Sequence, residues 1–174
     1  MGSRRNRADW WLGHTGTVNP PMMCLSFLVR DGQVLLGRKK RGFGQGRIVG
    51  PGGKVEPGER PVEAAAREVA EETGLRVAPE DLIEVAQITY QFPARPAWDQ
   101  DATVFTTIRW TGEPVESDEI EPRWWRVDAL PLDEMWDDAR YWLPKVLAGD
   151  RVRVAAVFAS DCATVATIEV TPVG

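Results

Sequence analysis

Two cysteines, one histidine and two tyrosines are all that the 174 residues hold of these types. Cys24 and Cys162 lie far apart and neither has a partner at metal-ligand spacing, which excludes a disulfide framework and a zinc site and predicts two buried thiols. The single histidine, His14, has no second His or Cys beside it, so a histidine-based metal or catalytic cluster is excluded as well. No apolar run approaches the roughly 20 residues that a membrane-spanning helix needs. Positive charge is also scarce: 21 Lys and Arg stand against 26 Asp and Glu, a net charge of −5. Such a surface does not attract a nucleic-acid polymer or an anionic membrane, and a polyanionic ligand would have to be held by local cations. These absences together predict a soluble, cytoplasmic protein.

What is present fits one domain of ordinary size. The chain is 43% apolar and 27% charged, a globular composition, and its length suffices to bury about 70% of the surface exposed when unfolded. Residues 1–21, MGSRRNRADWWLGHTGTVNPP, begin basic and end in Pro20-Pro21 without a continuous apolar segment like that of a secretory signal. They read as an appended or loosely docked tail, ahead of a domain over residues 22–172. Trp10-Trp11 are the exception within it, because an aromatic pair gains by covering a surface.

Cys24–Arg30 and Gln33–Leu36 are β-rich runs joined by Asp31-Gly32, a hairpin signal. Seven glycines among the seventeen residues from Gly37 to Gly53 then mark a loop region, interrupted only by Ile48-Val49. From Pro61 to Thr73, Val62, Ala65, Ala66, Val69 and Thr73 recur at helical spacing, and Gly74 stands at the C-cap position. Strands are predicted over Val85–Phe92, Ala102–Trp110, Trp124–Val127, Val152–Ala159 and Val165–Val170. A second helix, with Pro144 as its kink, is predicted over Asp133–Leu147. The order is that of an α+β protein with a mixed sheet, not a regular βαβ array.

The first helix carries an oddity. Residues three and four apart share a helix face, so Glu68, Glu71 and Glu72 project together while Ala65 and Val69 turn to the core. Like charges at that spacing cost a few tenths of a kcal/mol per pair. Alone, such a blade is most often a solvated face. Here it follows Gly52-Gly53, where the missing Cβ atoms let backbone approach a ligand. Carboxylates beside accessible carbonyl oxygens are the hard donors that Mg²⁺ or Mn²⁺ selects, and a bound cation would remove the repulsion.

Gly53, five residues, Glu59, seven residues, then Arg67, Glu68, Val69, Ala70, Glu71, Glu72, Thr73, Gly74 and Leu75 resemble the Nudix box, G-x5-E-x7-R-E-U-x-E-E-x-G-U with U aliphatic. All nine constrained positions among the twenty-three agree. The resemblance to the Nudix hydrolases implies a mixed sheet sandwiched between helices (α/β/α), and a Mg²⁺-binding loop-helix-loop. It also implies a reaction in which water attacks phosphorus in a nucleoside diphosphate linked to another group. Carried over, Glu68, Glu71, Glu72 and the Gly52 carbonyl would hold metal, with Gly53 beside the substrate. Arg67 joins the catalytic group as the residue that braces the carboxylates, paired with Glu59.

LLGRKKRGFGQGR, PVESDEIEPRWW and MWDDARYWLP extend the resemblance over about residues 23–170, to the MutT-type branch that hydrolyses oxidised purine nucleoside triphosphates such as 8-oxo-dGTP. In that branch Glu119 would be a further metal ligand, and Glu72 and Glu119 both fit the general base. Lys39 would contact phosphate, Trp136 would stack on the purine, and Phe43, Tyr90, Phe92 and Asp138 would line the base pocket. Trp124, Trp125 and Trp142 are left to packing. Two positions depart from the branch: Val49 stands where an asparagine reads the base, and Ala139 where a second aspartate follows Asp138. Neither side chain can hydrogen-bond. ADP-ribose, a dinucleoside polyphosphate or another modified nucleotide is therefore an alternative substrate, and a non-catalytic nucleotide sensor an alternative role. The oligomeric state is not readable from the sequence.

Overall fold

The computed structural model describes residues 20–174; the readings of Trp10, Trp11 and His14 lie outside these residues. β1 (Met22–Arg30) and β2 (Gln33–Lys39) form the expected hairpin, with Val29 opposite Val34 and Arg30 opposite Gln33. Asp31 and Gly32 take φ of 49° and 72°. Positive φ at both central residues gives the turn the twist of the strands it joins, which is what an Asp-Gly pair permits.

The described strands make one mixed sheet. On the β2 side, β3 (Ile48–Val49) and β7 (Ile120–Arg126) both pair with β2, while β4 (Gly52–Lys54) pairs with β1. In the other direction β1 is followed by β6 (Gln100–Thr107), β5 (Ile83–Gln91), β8 (Val152–Phe158) and β9 (Val165–Pro172). The pairs β1–β6 and β5–β8 are parallel. Side chains alternate across this sheet with period two and so create two cores. Cys24 and Leu28 of β1, Leu35 of β2 and Phe105 of β6 face Ala64, Ala65 and Val69 of α1 (Pro61–Thr73). Phe27, Val34, Ala102 and Val104 face the other way, toward Trp142, Leu143 and Val146 of α2 (Ala139–Leu147). The sheet is thus sandwiched between helices, as expected. No helix among the described residues is long and apolar enough to cross a membrane.

Several boundaries differ from the sequence reading. The helix expected from Asp133 begins only at Ala139. Before it, Leu132–Glu134 form a single 3-10 turn and Met135 is extended, with φ −95° and ψ 171°. The Asp137 carboxylate accepts the Val165 N–H of β9 (2.9 Å), a tertiary bond that ties this stretch to the sheet, while Asp138 is the N-cap of α2 and accepts from Trp142 Nε1 four residues on (2.8 Å). β7 starts at Ile120, earlier than its apolar run, because all seven of its residues pair with β2 from Gln33–Arg126 to Lys39–Ile120. That pairing carries β2 through Arg38 and Lys39, so Lys39 is a strand residue rather than a loop residue. β6 opens at Gln100 and ends at Thr107 instead of running from Ala102 to Trp110. Cys24 is buried as expected, whereas Cys162, at φ 53° after β8, is only half-buried.

Phe27 ties the sheet to α2: it is 1% exposed and meets Trp142 edge-on, with ring centroids 5.9 Å apart. Phe27→Ala leaves a cavity under the helix that carries the pocket residues. The expected cost is about 3–5 kcal/mol, read as a lower urea midpoint at unchanged m. A loss below about 1 kcal/mol would mean that the sheet and α2 are not held through this contact.

Candidate active site

At one end of the site, α1 presents its acidic face to β4. The helix starts with Pro61 at its first position and the Glu63 carboxylate accepting the N-cap N–H of Arg60 (3.0 Å). It stops at Gly74, whose φ of 76° suits the left-handed C-cap. Between the caps, Glu68 and Glu72 sit one turn apart on the buried side, 9% and 3% exposed, while Glu71 is exposed. The glycines of β4 make the approach possible. A Cβ on Gly53 would lie 2.5 Å from a Glu68 carboxylate oxygen, and one on Gly52 would collide with the Cys24 carbonyl.

Glu119, at the entry to β7, completes the group: one carboxylate oxygen from each of Glu68, Glu72 and Glu119 lies within 4.8 Å of the others. The Gly52 N–H donates to Glu72 Oε1 at 2.8 Å. Arg67 spends its guanidinium on Glu59 in bidentate fashion (2.8 and 3.0 Å), on the Lys54 carbonyl (3.1 Å), on Glu68 (2.9 Å) and on Glu71 (3.2 Å). That pairing holds the Glu59 carboxyl down to about 2. Burial pushes the Glu72 carboxyl up to about 7, with the charges of Glu68 and Glu119 adding to it; burial raises Glu68 too, against the pull of Arg67. Three all-oxygen donors, two of them buried and carrying an unrelieved preference for protons, are the chemistry that a hard divalent cation satisfies. Glu71 is not in this group; its carboxylate faces Arg67. Glu119 is also reached by Arg41 at 3.2 Å.

From this acidic end a cleft of about 900 Å³, counting the space open at its mouth, runs over the α2 side of the sheet. Lys39, Gly52, Gly53 and Glu72 line one end, and Val49 lies on the wall of the cleft beside Ile48 and Gly50. At the other end stand Tyr90, Phe92, Trp136, Asp138 and Phe158, with Phe43 on the rim. Every residue that the sequence reading assigned to the nucleotide therefore falls on this one cleft. Asp138 is 1% exposed. Its Oδ2 accepts from Trp142 Nε1 (2.8 Å) and the Tyr90 hydroxyl (3.1 Å), whereas its Oδ1 has no hydrogen-bond partner among the described residues. Burial raises its carboxyl above the usual range despite these two donors. Trp136 is already in use as a stacking surface: Phe43 lies along it (5.1 Å, 17° between planes) and the Arg47 guanidinium sits 4.1 Å over it. A base stacking there has to displace one of them or use what remains of the ring. Trp142, assigned to packing, does pack, but it also anchors Asp138.

Sequence reasoning missed three contributors. Arg47 had no pattern to mark it beyond its place in a basic, glycine-rich loop. Phe158 was read only as part of a strand. Gln100 was read as loop, although alternation backward from Ala102 puts it on the cleft face once β6 is allowed to start there.

A family model described as the NUDIX domain matches residues 20–146. The chain is 41% identical over 130 residues to the oxidized purine nucleoside triphosphate hydrolase of Danio rerio, covering 75% of this chain and 81% of that one. It is likewise 41% identical over 123 residues to the protein of the same name in Mus musculus, covering 71% and 77%. Among solved structures, the mutator MutT protein from Bacillus halodurans superposes with a TM-score of 0.73 at 25% identity, covering 86% of this chain and 97% of that one.

The raised Glu72 carboxyl has a defined signature. A carboxyl whose folded pKa of about 7 exceeds its ordinary 4.5 stabilises the fold at low pH and loses that contribution as pH rises through 7. Without divalent cation, the thermal midpoint is expected to fall between pH 5 and pH 8, by the equivalent of about 1–3 kcal/mol. Glu72→Gln should remove most of that fall. Mg²⁺ should restore the midpoint at pH 8 and do little at pH 5, where protons compete for the same oxygens. A metal effect that is equal at both pH values would place the cation away from Glu72.

Proposed function

The chain belongs to the Nudix family, and on that premise we propose that it is a Mg²⁺-dependent hydrolase of oxidised purine nucleoside triphosphates such as 8-oxo-dGTP, releasing the monophosphate and pyrophosphate. Mn²⁺ is the expected substitute for Mg²⁺, and the cytoplasmic nucleotide pool is where the substrate is met. The names of the zebrafish and mouse relatives support the substrate class. The observation that carries the proposal is the joining of two unlike ends in one cleft: a carboxylate trio, Glu68, Glu72 and Glu119, that reaches the cleft through buried Glu72, and an aromatic pocket with an Asp138 oxygen that has no hydrogen-bond partner among the described residues.

Glu68, Glu72 and Glu119, with the Gly52 carbonyl, are the groups that would hold the cation; Glu71 acts through its hold on Arg67. When bound, the cation supplies charge neutralisation on the phosphate chain and acidifies a coordinated water. Lys39 lines the same end of the cleft and is the local cation that the negative total charge calls for. Glu72 is the general base on this reading. Its Oε1 is fixed by the Gly52 N–H, which leaves Oε2 to take a proton from the attacking water, whereas Glu119 is drawn toward Arg41. At the nucleoside end, Phe92 and Phe158 stack on each other at 4.5 Å and Trp136 stands edge-on to both, giving a rigid apolar wall. Because Oδ2 of Asp138 already accepts two bonds, a proton on this carboxyl sits on Oδ1, which then donates to an acceptor on the base.

The deciding experiment measures pyrophosphate release from 8-oxo-dGTP, 2-hydroxy-dATP, dGTP, dCTP and ADP-ribose. The expected order puts an oxidised purine triphosphate first. Release from ADP-ribose alone would favour a different nucleotide, the reading that apolar Val49 and Ala139 support. Glu72→Gln is expected to lower kcat by about 10²–10⁴-fold, and Glu119→Gln to cost less and to raise the Mg²⁺ requirement. The reverse order of severity would move the base to Glu119.

Asp138→Asn separates the two ways in which this residue can read a base. The amide oxygen can keep the Trp142 and Tyr90 bonds, and the amide nitrogen then donates where a protonated Oδ1 would. KM for the preferred purine should therefore stay within about threefold of wild type and lose any rise with pH that follows deprotonation of Asp138, whereas Asp138→Ala should raise KM about tenfold or more for a lost buried hydrogen bond. If Asp138→Asn is as damaging as Asp138→Ala, the ionised carboxylate is the reading form.

A further inference from the structure

The apolar Val49 and Ala139 leave the cleft with few groups that can read a base, and among its side-chain carboxyl, amide and hydroxyl groups one remains unassigned. Lys39 and Glu72 belong to the phosphate end. The Tyr90 hydroxyl and Trp142 Nε1 are spent on Asp138. Cys24 is fully buried, its thiol pushed up to about 11 by that burial. Gln100 is different: it lines the cleft, is half-buried, and its carboxamide makes no side-chain hydrogen bond among the described residues.

Its placement is set by the sheet. Gln100 is the first residue of β6, and its Cα is paired with that of Tyr90 on β5. Directly opposed residues of an antiparallel pair point to the same face with Cβ atoms about 5 Å apart. Gln100 is therefore the cross-strand neighbour of the very ring whose hydroxyl holds Asp138. Alternation along β6 puts it in line with Ala102 and Val104, both of which belong to the core on the α2 side. The side chain is at the base end of the cleft floor, where Met23 of β1 and Ala102 offer only apolar surface.

We propose that Gln100 is a specificity-determining residue whose carboxamide hydrogen-bonds the edge of the bound base, supplying the donor and acceptor pair that Val49 and Ala139 do not. This rests on the nucleotide-hydrolase reading above. A carboxamide presents an acceptor and a donor side by side, which matches the adjacent carbonyl and N–H of an oxidised or amino-substituted purine. A site built to make such a bond rejects an analogue that lacks the matching group far more strongly than an apolar wall can. With Asp138 Oδ1 it would give the pocket two polar contacts in an otherwise apolar surround, the usual composition of a small-molecule site.

The test compares wild type with Gln100→Met, similar in length but without the amide, and with Gln100→Glu, which keeps the size and removes the donor. Steady-state kinetics are run on 8-oxo-dGTP, 2-hydroxy-dATP and dGTP, with thermal midpoints and the Mg²⁺ activation curve measured alongside. For Gln100→Met the expected result is a KM about tenfold higher for the preferred purine, ratios between the three purines compressed toward one, and kcat and Mg²⁺ dependence unchanged. Gln100→Glu should reorder the three substrates rather than weaken all equally. An active wild type whose KM values and substrate ranking survive both substitutions overturns the assignment of Gln100 and leaves the hydrolase reading standing. A wild type that cleaves none of the three overturns both. Should one variant fold poorly, the ranking shown by the other decides.

Discussion

The site hangs on one guanidinium. Arg67 uses its donors on Glu59, the Lys54 carbonyl, Glu68 and Glu71, and so clamps the loop before α1, the end of β4 and the helix itself into one piece. A lysine could not do this, since a point charge lacks the planar fork that engages Glu59 bidentately and still reaches three other acceptors. The clamp also explains why adjacent acidic side chains behave differently. Glu59 and Glu71 both face the guanidinium, Glu59 through two bonds and exposed Glu71 through one. Glu68 is shared between that guanidinium and the carboxylate trio. Glu72, on the far side of the helix face from Arg67, has only the Gly52 N–H among the described residues, and burial pushes its carboxyl up to about 7.

That arrangement sets stability against function. Buried carboxylates beside one another are unfavourable until something positive arrives, and the glycines that let β4 close over Glu68 contribute no packing of their own. The compensation lies elsewhere, in the two apolar cores on either side of the sheet and in helix caps that leave no strain at the ends of α1. The protein therefore keeps its least favourable electrostatics on regular elements, with Glu68 and Glu72 on a helix and their glycine neighbours on a strand. Geometry can be held there without waiting for ligand.

The opposite end of the cleft follows another rule. It is apolar, aromatic and almost without polar atoms, so each one that it does contain weighs heavily. Asp138 is held by Trp142 and Tyr90 through one oxygen and offers the other; Gln100 stands across the strand from Tyr90. Phe43, resting on Trp136, is carried by a loop whose Gly42 and Gly44 have φ of 78° and 80°, a backbone that glycine adopts without cost. The pocket thus combines a floor on the sheet with a rim whose Phe43 ring lies on the face of Trp136.

Much of this was legible in the residues themselves. The spacing from Gly53 to Leu75 is local, because helix periodicity alone puts Glu68 and Glu72 on one face and Ala65 and Val69 on the other, and Gly74 ends the helix by its own φ. The Asp31-Gly32 hairpin is local for the same reason. What sequence could not fix were relations across distance. Glu119 joins Glu68 and Glu72 only because β7 pairs with β2 in one register, and that register is also what draws Lys39 out of a loop and into a strand. Glu71 matches the family pattern as well as its neighbours do, yet it pairs with Arg67 one turn back in the same helix and stays outside the trio that the fold gathers. The stretch 135–138 has helical periodicity but precedes the helix, with Asp137 bonded across to Val165 of β9 and Asp138 standing at the N-cap. Gln100 looked like the end of a loop until pairing with Tyr90 made it the start of a strand. Local spacing determined which chemistry the chain carries; long-range hydrogen bonding and burial decided which of those groups meet, because register and desolvation are properties of the pair and not of either residue.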